Sequence, residues 1–161
     1  MKKTILSLIT FLGLSIVLAG CAVGTKEFSK NGITITVSDD FVQKDIDSEI
    51  NWSLYLETKN LIFFGRGETK MTLPGYNLMA YTEDVVLKTS KPDDVEIETF
   101  DEDGVSFLYA YYLSSDEKYG YMLITKEGST KFYTMNFSCV KSSLEGNKQK
   151  FLDWAKTIVV E

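Results

Sequence analysis

Apolar and polar residues alternate along most of the chain, with the two-residue period of β-strands. The clearest case is Ile-Thr-Ile-Thr-Val at positions 33–37, which predicts a strand with one buried face. Similar β-rich runs follow in both halves of the sequence. They predict strands at 52–57, 61–66, 95–100, 105–113, 119–126 and 130–140.

The last four of these runs are joined by short turns, so we expect them to form neighbouring antiparallel strands. The run 105–113 is apolar on both faces, because Tyr109 and Tyr111 alternate with Leu108 and Ala110. A strand with one face in water would carry polar residues on that face. The pattern therefore predicts that both faces of the central sheet are covered.

Two segments have the three-to-four-residue apolar spacing of helices. The first covers residues 76–89 and is expected to end before Pro92. The second follows Ser142-x-x-Glu145, a pattern typical of a capping box, and continues to Ile158. With the strands, these helices predict an α+β fold in which a central antiparallel sheet is sandwiched by helices.

The N-terminus has the three parts of a secretory signal. Lys2 and Lys3 precede an apolar run at 5–18, which is shorter than the roughly 20 residues that span a bilayer. A retained anchor helix is the alternative. Leu18-Ala19-Gly20-Cys21 then resembles the lipobox of bacterial lipoproteins. The resemblance implies cleavage after residue 20 and attachment of diacylglycerol to Cys21, so that membrane lipid holds the protein on the extracytoplasmic side of a cell membrane.

The domain boundaries follow from this N-terminus. Residues 1–20 are the expected signal peptide, the short polar segment 21–31 a tether, and 32–161 a single domain. Lipidation of Cys21 would leave Cys139 without a disulfide partner. Since Cys139 alternates in step with the apolar residues of the last strand, we expect a buried thiol; a catalytic thiol is the alternative.

Composition and charge exclude several functions. The 161 residues include no histidine, so the chain cannot form a Ser-His-Asp triad, a Cys-His dyad or a histidine-ligated metal site. The formal net charge is −6, and loss of Lys2 and Lys3 with the signal peptide makes it more negative by two. Such acidity argues against a nucleic-acid partner, which needs clustered basic residues.

The remaining candidate chemistry consists of acidic and aromatic residues. Asp101-x-Asp103-Gly104 offers too few oxygens for calcium, so we expect a solvated turn, with no metal and no cofactor. Paired carboxylates could serve a small hydrolase, although the sequence cannot show two of them facing each other. Aromatic residues could line one face of neighbouring strands, as core or as a partly open groove for a protein partner or a small apolar ligand. These residues are Tyr109, Tyr111, Tyr121 and Phe132.

The order of elements over residues 31–161 resembles PsbP-like domains, which share a fold with the Ran-binding Mog proteins. The resemblance is strongest in the last strand, in Lys141-Ser142 and in Phe-Leu-x-Trp-Ala-Lys-Thr-Ile-Val at 151–159. It implies an accessory or binding domain without catalysis, since the family has no common enzyme activity. The alternatives are a carboxylate-dependent hydrolase of the cell envelope and a purely structural envelope protein.

Overall fold

The structure is a computed structural model that describes residues 24–46, 52–89 and 95–161. Within these ranges the chain is mostly β, with two α-helices, α1 (Leu78–Thr89) and α2 (Lys141–Ala155). The strands are β1 (Thr25–Lys30), β2 (Ile33–Ser38), β3 (Val42–Gln43), β4 (Leu54–Glu57), β5 (Ile62–Thr69), β6 (Glu98–Glu102), β7 (Val105–Leu113), β8 (Tyr119–Glu127), β9 (Lys131–Val140) and β10 (Val159–Val160). The predicted signal peptide and Cys21 lie outside the described residues.

A small sheet has the strand order β1-β2-β10. β1 and β2 are antiparallel and are joined by Asn31 and Gly32, both of which have positive φ angles. The predicted tether at 21–31 is therefore wrong for Thr25–Lys30, which form a strand. Phe28 is the buried residue of that strand. The other residues of β1 are held in the strand by its pairing with β2. A single apolar residue in a polar run gives too weak an alternation to predict it.

A large antiparallel sheet has the order β3-β4-β5-β9-β8-β7-β6. Its last four strands in sequence are spatial neighbours, as their short turns predict. β5 pairs along its whole length with β9, from Ile62 opposite Ser138 to Thr69 opposite Lys131. β9 is thus the central strand, with β8 on its other side.

One face of the large sheet forms the main apolar core. Phe63, Met122 and Phe137 point into it and are fully buried. Helix α2 packs on β8, β9 and β2, and the Phe151 ring stacks on Phe137 with centroids 4.9 Å apart. The sequence predicts that helices cover both faces of the central sheet. On this face the prediction is only partly correct, because the small sheet covers the core together with α2.

Helix α1 packs on the opposite face, over β7, β8 and β9. Tyr81 and Val85 meet Ala110, Leu123 and Phe132 in a second, smaller core. The helix predicted at 76–89 is confirmed as Leu78–Thr89. It begins after Asn77 because the Asn77 Oδ1 accepts a hydrogen bond from the Ala80 amide at 2.9 Å.

The capping box predicted at the start of α2 does not form. The helix begins at Lys141 with Val140 as its N-cap, and no side chain caps it. β9 runs directly into the helix, so Ser142 already lies inside the first turn. The Lys141 amide donates instead to the Lys118 carbonyl at 2.9 Å. The helix ends at Ala155, and Val159–Val160 then join the small sheet.

Neither helix in the described ranges combines the length and the apolar character needed to cross a membrane.

Candidate binding cleft between the two sheets

The four aromatic residues predicted to line one face lie on two faces. Tyr121 is directly opposite Tyr112, the neighbour of Tyr111 in β7, so Tyr121 and Tyr111 point to opposite sides of the sheet. Tyr109 and Tyr111 pack against the main core beside α2. Phe132 belongs to the second core beneath α1. The predicted shared face is therefore wrong, because strand register decides it and register depends on pairing between strands.

Tyr109 and Tyr111 are engaged within the protein. Their rings meet edge to face with centroids 5.9 Å apart. The Tyr109 hydroxyl donates to the Glu98 carboxylate at 2.7 Å, and the Tyr111 hydroxyl donates to the Lys148 carbonyl at 3.3 Å. Burial raises the pKa of each tyrosine to about 12, with Glu98 adding to the effect. These contacts indicate a structural role for the pair.

Phe132 and Tyr121 are also packed. Phe132 is buried and stacks on the Tyr81 ring, with centroids 4.9 Å apart. Tyr121 is half-buried and stacks on Tyr112, with centroids 4.8 Å apart. The Tyr112 hydroxyl donates to the Asn136 side chain at 3.0 Å. Of the two interpretations of these aromatic residues, the packing supports a core role, and they do not form the partly open groove that was the alternative.

A cleft of about 660 Å³ opens elsewhere, where the turn between β1 and β2 approaches strand β4, next to the edge strand β3. This volume lies in the range of about 300–1,000 Å³ that is typical of small-molecule sites. The described lining is mostly polar and includes three lysines, two carboxylates and two aromatic residues. The charged and aromatic members are Lys30, Lys44, Asp45, Trp52, Tyr55, Lys131 and Glu161.

Two of the three lysines are paired with carboxylates. Lys30 Nζ lies 2.5 Å from Asp45 Oδ1, which joins the small sheet to the segment after β3. Lys44 Nζ lies 3.4 Å from Glu57 Oε1. The hydrogen bond from Lys30 lowers the pKa of Asp45, so this carboxyl group is ionised at neutral pH. Both ion pairs are exposed to solvent and contribute little to stability.

Lys131 is the third lysine, and no carboxylate of the described residues lies within ion-pair distance of it. Its half-buried side chain passes beside Gly67 of β5. A Cβ atom at Gly67 would lie 3.0 Å from Lys131 Cδ and 2.9 Å from the Tyr133 ring. Glycine at position 67 thus leaves the space in which the Lys131 side chain lies.

Trp52 is the larger aromatic residue of the cleft. Its ring meets the Phe64 ring edge to face, with centroids 4.6 Å apart, which restricts its orientation. Tyr55, in β4, also lines the cleft, and burial raises its pKa with a further contribution from Glu57. Among the described residues, the cleft thus offers an aromatic residue, one lysine and one carboxylate (Lys131 and Glu161) without ion-pair partners, and several polar hydrogen-bonding groups.

The cleft itself was missed at the sequence level. The available signal was Gly65 inside the strand predicted at 61–66 and Gly67 directly after it, since glycine in a strand often marks a close approach of other groups. Within the described residues, no three of the side chains His, Cys, Asp and Glu come together as a metal site. The absence of a metal cofactor remains a prediction.

Comparison with known proteins establishes the type of fold. No protein-family model and no curated protein sequence matches the chain. The structure is similar to the solution structure of cyanobacterial PsbP (CyanoP) from Synechocystis sp. PCC 6803, with a TM-score of 0.54 and 16% sequence identity. The match covers 86% of this chain and 94% of that chain.

The chain has a PsbP-like fold. The PsbP-like resemblance inferred from the order of elements is confirmed at this level. At 16% identity the likeness concerns the fold alone, and any role of the cleft has to be argued from its own residues.

Proposed function

We propose that the protein is a lipoprotein held on the extracytoplasmic side of a cell membrane through Cys21, with a folded domain that has an accessory or binding role. The observation that carries this proposal is Leu18-Ala19-Gly20-Cys21 directly after a basic start and a short apolar run. Two or more acyl chains hold a protein stably on a membrane, whereas one chain does not.

The position of β1 adds to this proposal. The strand begins at Thr25, so only residues 22–24 separate it from Cys21. The four Cα-to-Cα steps from residue 21 to residue 25 span about 14 Å at most. A lipid on Cys21 would therefore keep the domain close to the bilayer. Because the chain is acidic, an anionic lipid surface would repel it, and attachment would depend on the acyl chains.

A binding role is supported by the PsbP-like fold and by the cleft between the sheets. A carboxylate-dependent hydrolase would need one carboxyl group with a raised pKa as general acid. Of the carboxylates that line the cleft, Asp45 has the opposite shift, because Lys30 stabilises its ionised form. A purely structural envelope protein would have no use for an open polar cleft, so binding is the better-supported role.

Mass spectrometry of the protein extracted from membranes of a bacterial host tests the anchor directly. We expect a mature chain that begins at Cys21 and carries the mass of a diacylglycerol group. An intact chain from Met1, with an unmodified thiol at position 21, would contradict the proposal.

A further inference from the structure

The arrangement around Lys131 indicates what the cleft can bind. Two cleft lysines are held by Asp45 and Glu57, and Lys131 is left without a carboxylate among the described residues. Its half-buried side chain passes beside Gly67, and partial burial of its stem means that less conformational freedom is lost when its ammonium group binds a ligand. An ammonium group placed in this way suits an anionic group.

The rest of the lining limits the ligand further. Asn31, Ser53 and Glu161 supply hydrogen-bonding groups, and Trp52 supplies an aromatic residue. A purely apolar ligand would displace water from these polar groups without replacing the hydrogen bonds that they make to it. Leaving buried polar groups without partners is unfavourable. A ligand rich in hydroxyl groups would satisfy them and could pack its carbon skeleton against an aromatic ring.

We propose that the cleft between the two sheets binds a sugar that carries one phosphate or carboxylate group. Lys131 binds the anionic group, the polar residues bind hydroxyl groups, and Trp52 packs against the sugar ring. The inference deepens the proposed binding role and rests on it, because it treats the cleft as a site of binding and not of catalysis.

Trp52 provides the reporter for a test. The chain has two tryptophans, and the other, Trp154, packs against Phe41 and Phe151. In the full chain purified in non-ionic detergent, Trp154→Phe leaves Trp52 as the single tryptophan, which is excited selectively at wavelengths where the nine tyrosines do not absorb. Glucose 6-phosphate and glucuronate are titrated as anionic probes, with glucose and inorganic phosphate as the neutral-sugar and anion-only probes.

We expect a saturable change in Trp52 fluorescence with an anionic sugar and weaker binding of both glucose and inorganic phosphate. Lys131→Gln should weaken binding of the anionic sugar by about tenfold, the effect of losing one charge-assisted hydrogen bond. Lys59→Gln is the matched control, since it removes an exposed lysine outside the cleft and should leave affinity unchanged. Thermal unfolding verifies that each variant is folded.

The inference would be overturned by the lack of a saturable signal with either anionic sugar, or by equal affinity in Lys131→Gln and the parent. Preferential binding of glucose would overturn it as well, since the anionic group would then have no role. The outcome is independent of the anchor. If the protein is lipidated but does not bind an anionic sugar, the proposed ligand is wrong. If it binds an anionic sugar but Cys21 carries no lipid, the proposed anchor is wrong.

Discussion

The hydroxyl oxygens of Tyr81 in α1 and Thr134 in β9 lie 2.7 Å apart, in the buried interface between the helix and the large sheet. The neighbouring Thr82 makes a second bond of this kind to Thr125 of β8, at 2.6 Å. The ring of Tyr81 also stacks on Phe132. Helix α1 is therefore attached to the sheet by paired hydroxyl groups as well as by apolar contacts, and this sets its position over the central strands.

Tyr81→Phe tests the first of these bonds. The variant keeps the ring and its stacking but leaves the Thr134 hydroxyl without its partner, so the free energy of unfolding should fall by about 1 kcal/mol. Urea unfolding provides the measurement. In Tyr81→Phe/Thr134→Val both polar groups are gone, so the double variant should be less destabilised than the sum of the single variants. Additive losses would show that the hydroxyl pair is not coupled.

Phe151→Ala tests the main core. The Phe151 side chain is fully buried and stacks on Phe137, so its truncation should lower the free energy of unfolding by about 3–5 kcal/mol. Ser142→Ala on the same helix is the control. Since α2 has no side-chain cap, this change should stay within about 0.5 kcal/mol in the same assay. If Ser142→Ala lowered the free energy of unfolding by about 1 kcal/mol or more, Ser142 would cap the helix as the predicted capping box requires.

Cys21→Ala tests the membrane anchor. Without the thiol no acyl chain can be attached, so the protein should move from the membrane fraction to the soluble fraction after cell fractionation. Cys139→Ala is the matched control, because it removes the other cysteine and should leave the protein in the membrane fraction. If Cys21→Ala stays with membranes to the same extent as the parent, the lipid is not the anchor.

The Cys139 thiol should react slowly in the folded protein. Its side chain is buried, as its alternation with Tyr133, Met135 and Phe137 predicts, and burial raises its pKa. At pH 8 both effects reduce the accessible thiolate, which is the reactive form. Reaction with a chromogenic disulfide reagent should be slow in native buffer and fast in urea. Equal rates in the two conditions would mean that the thiol is accessible in the folded state.

Stability should decline above pH 10. Burial raises the pKa of Tyr81, Tyr109 and Tyr111 to about 12, whereas tyrosines of the unfolded chain ionise near 10. The unfolded state therefore loses protons first, and the stabilising contribution, complete below pH 10, is lost as the pH rises from 10 to about 12.

Urea midpoints between pH 8 and pH 12 measure this dependence. Tyr111→Phe should have a shallower decline than the parent, because one of the perturbed hydroxyls is absent. An unchanged midpoint up to pH 12 would contradict the prediction.

Local patterns were sufficient for much of the fold. The meander of the last four strands, helix α1 and the buried position of Cys139 all follow from periodicity and short connections in contiguous sequence. Such signals survive in a single chain segment, because burial of one face imposes a period of two or of about 3.6 residues. The PsbP-like fold could be inferred for the same reason, from the order of these elements.

Pairing between distant segments decided the rest. β1 is ordered by hydrogen bonds to β2, β5 is placed beside β9, and the register of β7 on β8 puts Tyr111 and Tyr121 on opposite faces. The cleft likewise joins Lys30, Trp52 and Lys131, which are far apart in sequence. A shift of one residue in any of these pairings would reverse the side chains of a whole strand, and the alternation within that strand would be unchanged. For this reason the sequence predicts the individual strands and helices. Which side chains share a face, and where the cleft forms, are decided only when the sheets pack together.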